Sequence, residues 1–261
     1  MSTRDIPTRE PDQLIIETVE RLSREEFHKY QHDAFYNTVP KALVKSIGAI
    51  GLGGLAIPEE YGGLDASAVT TAKVFETMAR FDAGPAIFLS VHAMVSGLIT
   101  RFGTTAQKNA LLPRLAAGTS LGAFALTEPH AGSDAHALSS EARHVDGGFQ
   151  LQGSKCYITS AGFADLYIVF AKTTTPSQRK EVSAFIVPSD TQGLTIGKPE
   201  KKMGAELSPI ASIFFDDAFL PDSAVLGELH EGFKVALSGL AGGRVNIAAC
   251  ANGISRAAID A

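Results

Sequence analysis

The sequence predicts an α+β fold in three parts: an N-terminal helical domain over residues 1–119, a central antiparallel β-barrel-like domain over 120–227, and the start of a C-terminal helical bundle over 228–261. Three observations predict it. Apolar residues recur at helical steps through the first part, and short apolar or β-branched runs punctuated by Gly and Pro fill the second. Helical spacing then returns after Phe233.

In order along the chain, Ile15, Val19 and Leu22 share one helical face, as do Leu43, Ile47 and Ile50. Gly51, Gly53 and Gly54 end the second pattern, and Pro58-Glu-Glu-Tyr-Gly-Gly63 reads as a turn-rich connection. Val69, Ala72, Phe75 and Ala79 resume a stripe, and Ile87, Val91, Met94 and Leu98 form another. Thr104 with Gln107 has the spacing of a capping box ahead of a helix that stops near Gly118. These stripes are helix faces packed on one another.

Asp146-Gly147 is a hairpin turn signal, after which Phe149 and Leu151 alternate with Gln150 and Gln152. Leu166 to Ala171, Val182 to Val187 and Ile210 to Phe215 read as short strands. Gly162, Pro176, Pro188, Gly193 and Pro209 punctuate them, as in a small barrel or sandwich. Val235, Ile247, Ala248, Ala251, Ile254 and Ala258 then return to helical spacing. No internal repeat or low-complexity tract interrupts this order.

Composition narrows the function. The 261 residues are 45% hydrophobic and 20% charged, which is a folding composition. A net charge of −5 argues against nucleic acid as a partner, because phosphate contacts need clustered Lys and Arg. Cys156 and Cys250 stand far apart, so a disulfide framework or zinc site is not expected, and a reducing, cytoplasmic compartment is. Arg4, Asp5, Arg9, Glu10 and Asp12 crowd the N-terminus, unlike a secretory signal. No apolar run approaches the roughly 20 residues that cross a bilayer. His28 and His32 sit four apart, but no carboxylate motif accompanies them, and no metal is expected. A G-x-S-x-G nucleophile motif is missing too.

Two segments carry the chemistry. Thr127-Glu-Pro-His-Ala-Gly-Ser-Asp134 follows the strand-like Ala123–Leu126, and Tyr157-Ile-Thr159 follows Gly153-Ser-Lys-Cys156. Pro129 stiffens the first loop, Gly132 lets a ligand approach the backbone, and Ser133 offers a hydroxyl and an N–H beside that gap. Tyr157 adds a flat face. Taken alone, the first segment reads as a surface turn with an Asx bond from Asp134, and the second as an ordinary strand. Together they offer backbone donors, small hydroxyls and a stacking plane, which suit a flat redox ring with a phosphate tail.

The paired segments resemble the flavin-contacting motifs of the acyl-CoA dehydrogenase family. That resemblance implies an FAD cofactor held by Phe124, Leu126, Thr127, Gly132, Ser133, Tyr157, Ile158 and Thr159. It puts the aromatic ring against the flavin and the Thr159 hydroxyl near its reactive N5. Many members have Trp where Tyr157 stands, and others Phe. Leu240-Ala-Gly-Gly-Arg-Val-Asn-Ile-Ala248 resembles the start of the family's C-terminal bundle, which implies acyl-CoA contacts at Ser133, Gly243 and Arg244. Read alone, Arg244 is an ordinary arginine at a helix start. Ala241 replaces an acidic residue that the family often has there. Gly197-Lys-Pro-Glu-Lys-Lys-Met-Gly204 is similar to the isobutyryl-CoA and short-chain branch, although its charges read equally as a solvated turn.

The implied activity is α,β-dehydrogenation of a short or branched acyl-CoA, in fatty acid or branched-chain amino acid catabolism. Electron-transferring flavoprotein is the implied partner, and a homo-oligomer the implied state of a full-length parent. The family's base is a glutamate late in the bundle, or in one branch directly before the arginine, where Gly243 stands here. Glu228 and Glu231 match no motif, so no catalytic residue is assigned. The chain is expected to be shorter than the family's and inactive alone. An acyl-CoA oxidase or nitroalkane oxidase-like flavoenzyme, and a non-catalytic FAD or acyl-CoA binding subunit, remain as alternatives.

Overall fold

The computed structural model describes residues 10–30 and 39–261. The N-terminal residues Arg4 to Arg9 and His32 of the histidine pair lie outside them. The order is helices, sheet, helix, as the periodicities predict. The first group comprises α1 (Glu10–Tyr30), α2 (Lys41–Ala49), α3 (Ala68–Ala79), α4 (Ala83–Phe102) and α5 (Thr105–Ala116). Side-chain caps set three starts: Ser67 accepts from Thr70 N–H, Asp82 accepts from Gly84 N–H, and Thr104 with Gln107 closes the expected capping box. Gly51, at φ 77, ends α2's stretch in the left-handed region, and a 3₁₀ turn follows at Leu52–Gly54.

One expectation needs correcting. α4 is 20 residues long with mean hydropathy 1.5, so an apolar run of spanning length does exist. Its polar breaks are small or paired, which hid the run from inspection. Two-thirds of it (67%) is buried within the fold, which accounts for its apolar composition as a core helix. His92 is its one buried imidazole. Nε2 lies 3.0 Å from the Gly53 carbonyl and 3.2 Å from that of Leu115, while Nδ1 accepts from Gly122 N–H at 3.2 Å. That set of partners puts the proton on Nε2 and ties α4 to α5, the 3₁₀ turn and the sheet.

The sheet has seven strands. They are β1 (Gly122–Ala125), β2 (Glu141–Val145), β3 (Gly148–Thr159), β4 (Leu166–Thr174), β5 (Lys180–Pro188), β6 (Leu194–Ile196) and β7 (Ile210–Pro221). Their order is β1-β4-β2-β3-β7-β6, with β5 also on β4. The pairing is mainly antiparallel, but β1 runs parallel to β4, and β2 touches β4 in parallel at Glu141↔Lys172. Asp146-Gly147 makes the β2–β3 turn, with Gly147 at φ 78.

β4 and β5 are buried on both faces, which explains their unbroken apolar runs. Tyr167, Val169, Phe185 and Val187 face the concave side with Phe149, Leu151 and Phe215. Ile168, Phe170, Val182 and Ala184 face α4, α5 and α6. The third core packs α1 to α4 together. α6 (Gly232–Asp260) returns across α3 and α4.

Gly232 fixes where α6 starts, because a Cβ there would lie 2.3 Å from the Ser183 carbonyl carbon and 2.5 Å from Ala184 N. Gly232→Ala is therefore expected to cost about 1–3 kcal/mol by overpacking, read as a lower urea midpoint. The basic turn at Lys198–Lys202 is less solvated than expected. Lys202 Nζ is half-buried and donates to the carbonyls of Ala205 and Ser208, the latter at 2.7 Å.

Candidate functional site

The two chemistry-bearing segments meet. Thr127 O accepts from Cys156 N–H at 2.9 Å, so the loop leaving β1 lies directly against β3. Glu128 and Ala131 exchange backbone hydrogen bonds at 3.1 and 3.0 Å, which pinches the Pro129-His130 corner. Beneath the junction is a buried ion pair that sequence reasoning missed. Lys155 Nζ sits 2.7 Å from Glu128 Oε1 and donates to the Leu126 carbonyl at 3.2 Å. The Glu128 carboxylate also accepts from Ser139 N–H at 2.6 Å, Ser139 Oγ at 2.9 Å and Ser140 N–H at 3.0 Å.

Both side chains are essentially inaccessible, 0% and 1% exposed. Burial pushes the Glu128 carboxyl up, but the Lys155 ammonium and the serine donors outweigh it and hold the pKa at about 2. Burial pulls the Lys155 ammonium down, and Glu128 opposes that fall. Glu128 is therefore held as a carboxylate with four hydrogen-bond donors on it. A signal for it existed: Lys155 keeps the strand parity of Phe149 and Leu151, which places a charge at an inward position.

β3 changes register against β7 between Lys155 and Ile158. The extra residue makes a bulge, and Tyr157 occupies the left-handed region at φ 57. That conformation costs a bulky residue on the order of 1–3 kcal/mol. It turns the ring outward, 67% exposed, beside the Thr127 segment. Strain that presents an aromatic ring to solvent marks a site for a ligand. Thr127, Ser133 and Thr159 have hydroxyls with no hydrogen bond to any other described residue. A Cβ on Gly132 would meet nothing within 4 Å, so the loop crest is open to close approach.

The remaining predicted contacts point elsewhere. The Phe124 ring packs on Phe170 with centroids 5.0 Å apart, and Leu126 and Ile158 are buried in the core. These three offer a ligand their backbone rather than their side chains. The hydroxyls, the exposed ring and the open glycine fit a flat ring with an anionic tail, and nothing in the loop obstructs one.

A second feature lies between α3, α4 and α6. It is a cavity of about 290 Å³, lined mainly by apolar groups that include Met94, Gly97, Leu98, Gly239, Gly242 and Gly243. The glycines let the helices approach: a Cβ on Gly243 would come within 3.2 Å of Met94 Sδ. Arg101 reaches across one end to Ser238 Oγ at 2.5 Å. Thr71 on the wall has a buried Oγ1 without a hydrogen-bond partner among the described residues. No carboxylate is among its lining residues. Gly243 thus joins the cavity, whereas Arg244 is exposed on another face of α6 and Ser133 stays on its loop.

Known proteins share this sequence and fold. Residues 9–119 match the acyl-CoA dehydrogenase N-terminal domain and residues 123–218 its middle domain. An acyl-CoA dehydrogenase of Bacillus subtilis (strain 168) is 43% identical over 222 residues, covering 85% of this chain and 59% of that protein. The solved butyryl-CoA dehydrogenase from Megasphaera elsdenii superposes with a TM-score of 0.92 at 35% identity, over 98% of this chain and 68% of that one. An acyl-CoA dehydrogenase from Bacillus anthracis, solved in complex with FAD, gives 0.87 at 33% identity, over 97% of this chain and 43% of that one. The chain therefore spans between 43% and 68% of the length of these relatives. With both domain descriptions matched over most of its length, the chain belongs to the acyl-CoA dehydrogenase family.

Proposed function

We propose that this chain is the FAD- and acyl-CoA-binding part of an acyl-CoA dehydrogenase acting on short or branched acyl thioesters. The observation that carries the reading is the strained, outward Tyr157 on a bulge that lies directly against the Thr127 loop. Tyr157 offers the ring face, while Thr127, Ser133 and Thr159 offer hydrogen bonds to the ring edge and its tail. Bound there, FAD supplies the hydride acceptor for oxidising the Cα–Cβ bond of a thioester. The apolar cavity between α4 and α6 excludes water from an acyl group and limits its length. Its small volume and the likeness to a butyryl-CoA dehydrogenase support a short substrate. Electron-transferring flavoprotein as acceptor and a homo-oligomeric parent belong to the same proposal.

Proton abstraction from the substrate needs a general base, and none of the described residues lining the cavity is a carboxylate or a histidine. That observation favours a binding role for these residues, with the base supplied from elsewhere. Two measurements test the proposal. Titrating the purified chain with FAD is expected to quench flavin fluorescence, and Tyr157→Ala is expected to weaken binding about three- to tenfold, the worth of one aromatic contact. Butyryl-CoA with a dye acceptor is expected to give no turnover; sustained turnover would show that the base lies within the chain.

A further inference from the structure

We propose that Glu128 and Lys155 are positioning residues for the flavin edge, holding the loop after β1 and the bulge of β3 in one fixed geometry. The inference rests on the flavin reading but concerns residues that cannot touch the cofactor, since both side chains are buried. Each binds a different part of the site. Lys155 immediately precedes the bulge and grips Leu126 O and Glu128 Oε1. Glu128 closes the pinched corner and collects the backbone of Ser139 and Ser140 at the loop's far end.

Next to these anchors lie the hydroxyls, the ring and the open glycine offered to the ligand: Thr127, Gly132 and Ser133 on one side, Tyr157 and Thr159 on the other. A left-handed tyrosine on a bulge does not hold itself, because an extended strand without the extra residue is the lower-energy local choice. The bond from Cys156 N–H to Thr127 O is a further direct tether across the seam. With Lys155 and Glu128 removed, the bulge is free to slip, and a one-residue slip reverses which side chains face outward. The pair thus converts two separate segments into one rigid receptor.

The test separates positioning from plain stability. Glu128→Gln/Lys155→Met carries no buried charge, and Leu43→Ala, in the core that packs α1 to α4 together, serves as a destabilised control of intact seam. All proteins are compared with wild type at a temperature where circular dichroism shows each folded. The double variant is expected to bind FAD at least about tenfold more weakly, with an altered near-ultraviolet spectrum of any bound flavin, while Leu43→Ala keeps wild-type affinity. Wild-type affinity in the double variant would overturn the proposal, and so would equal loss in the control. Should the double variant not fold, Glu128→Gln alone takes its place with the same expected direction.

Amide exchange of the flavin-free chain gives an independent readout. Protection at Cys156 is expected to fall in the double variant and not in the control. If the wild-type chain took up no FAD, the flavin reading would fail. The exchange result would still decide the positioning claim, and unchanged protection at Cys156 would end it.

Discussion

Lys155→Met alone is expected to lower the unfolding free energy by about 3–5 kcal/mol, the usual cost of orphaning a buried charge. The Glu128 side chain, 1% exposed, would keep its serine donors but lose the ammonium in direct hydrogen-bond contact with it. His130 offers little replacement, since its Nε2 lies 3.6 Å away and its ring is more than half exposed. Domains of this kind are stable by only about 5–15 kcal/mol, so the variant forfeits a large share. The surface pair Lys180–Glu141 makes the comparison, both side chains being about half exposed. Lys180→Ala is expected to cost no more than about 1 kcal/mol. Urea melts of the two variants check the contrast, and equal midpoint shifts would contradict the assignment of Lys155 as a buried, ionised partner.

Much of the fold was legible because its elements obey one period each. α5 carries its capping box in sequence, and β4 and β5 carry uninterrupted apolar runs because cores lie on both sides of them. β6 was not legible: its three residues, Leu194–Ile196, are partly exposed and too few to show alternation. β7 runs to Pro221, past the Phe215 at which the apolar run stops. Asp217 at φ 48 absorbs the irregularity within the strand, and its N–H is taken by Gln152. The parallel β1–β4 pairing could not be read at all, since it depends on a crossover rather than on any local pattern.

At the site, residue identity was more legible than orientation. The motifs named Thr127, Ser133, Tyr157 and Thr159, and the structure brings their two segments into contact. They also named Phe124, Leu126 and Ile158, whose side chains turn into the core because alternate strand residues face opposite ways. Tyr157 faces outward only through the bulge, which no propensity predicts for tyrosine. On α6 the missing step was angular. Gly239, Gly242, Gly243 and Asn246 recur at the i, i+3, i+4, i+7 spacing of one helical face, and that face lines the cavity. Arg244 is one residue from Gly243 and so roughly 100° around the helix. Adjacency in the motif therefore did not mean adjacency in space.

Acid is expected to weaken the protein over two separate pH ranges, each traceable to one buried group. Burial holds the His92 imidazole neutral, with its pKa below the ordinary 6.5, against smaller opposing effects of the Gly53 and Leu115 carbonyls. The unfolded chain takes up a proton on this ring as pH falls through 6.5, and the folded chain does not. The stability linked to His92 is thus complete above that pH and declines below it. Glu128 acts lower down. Its folded pKa of about 2 lies under the ordinary 4.5, so its contribution is complete above 4.5 and disappears as pH falls from 4.5 toward 2. That difference corresponds to about 3 kcal/mol. Urea midpoints measured from pH 8 to pH 2 should therefore fall in both ranges, the lower fall being absent from Glu128→Gln and the upper from His92→Gln. A midpoint that stays level between pH 4.5 and pH 2 in the wild type would mean that Glu128 is not held as a carboxylate, and the seam would need another account.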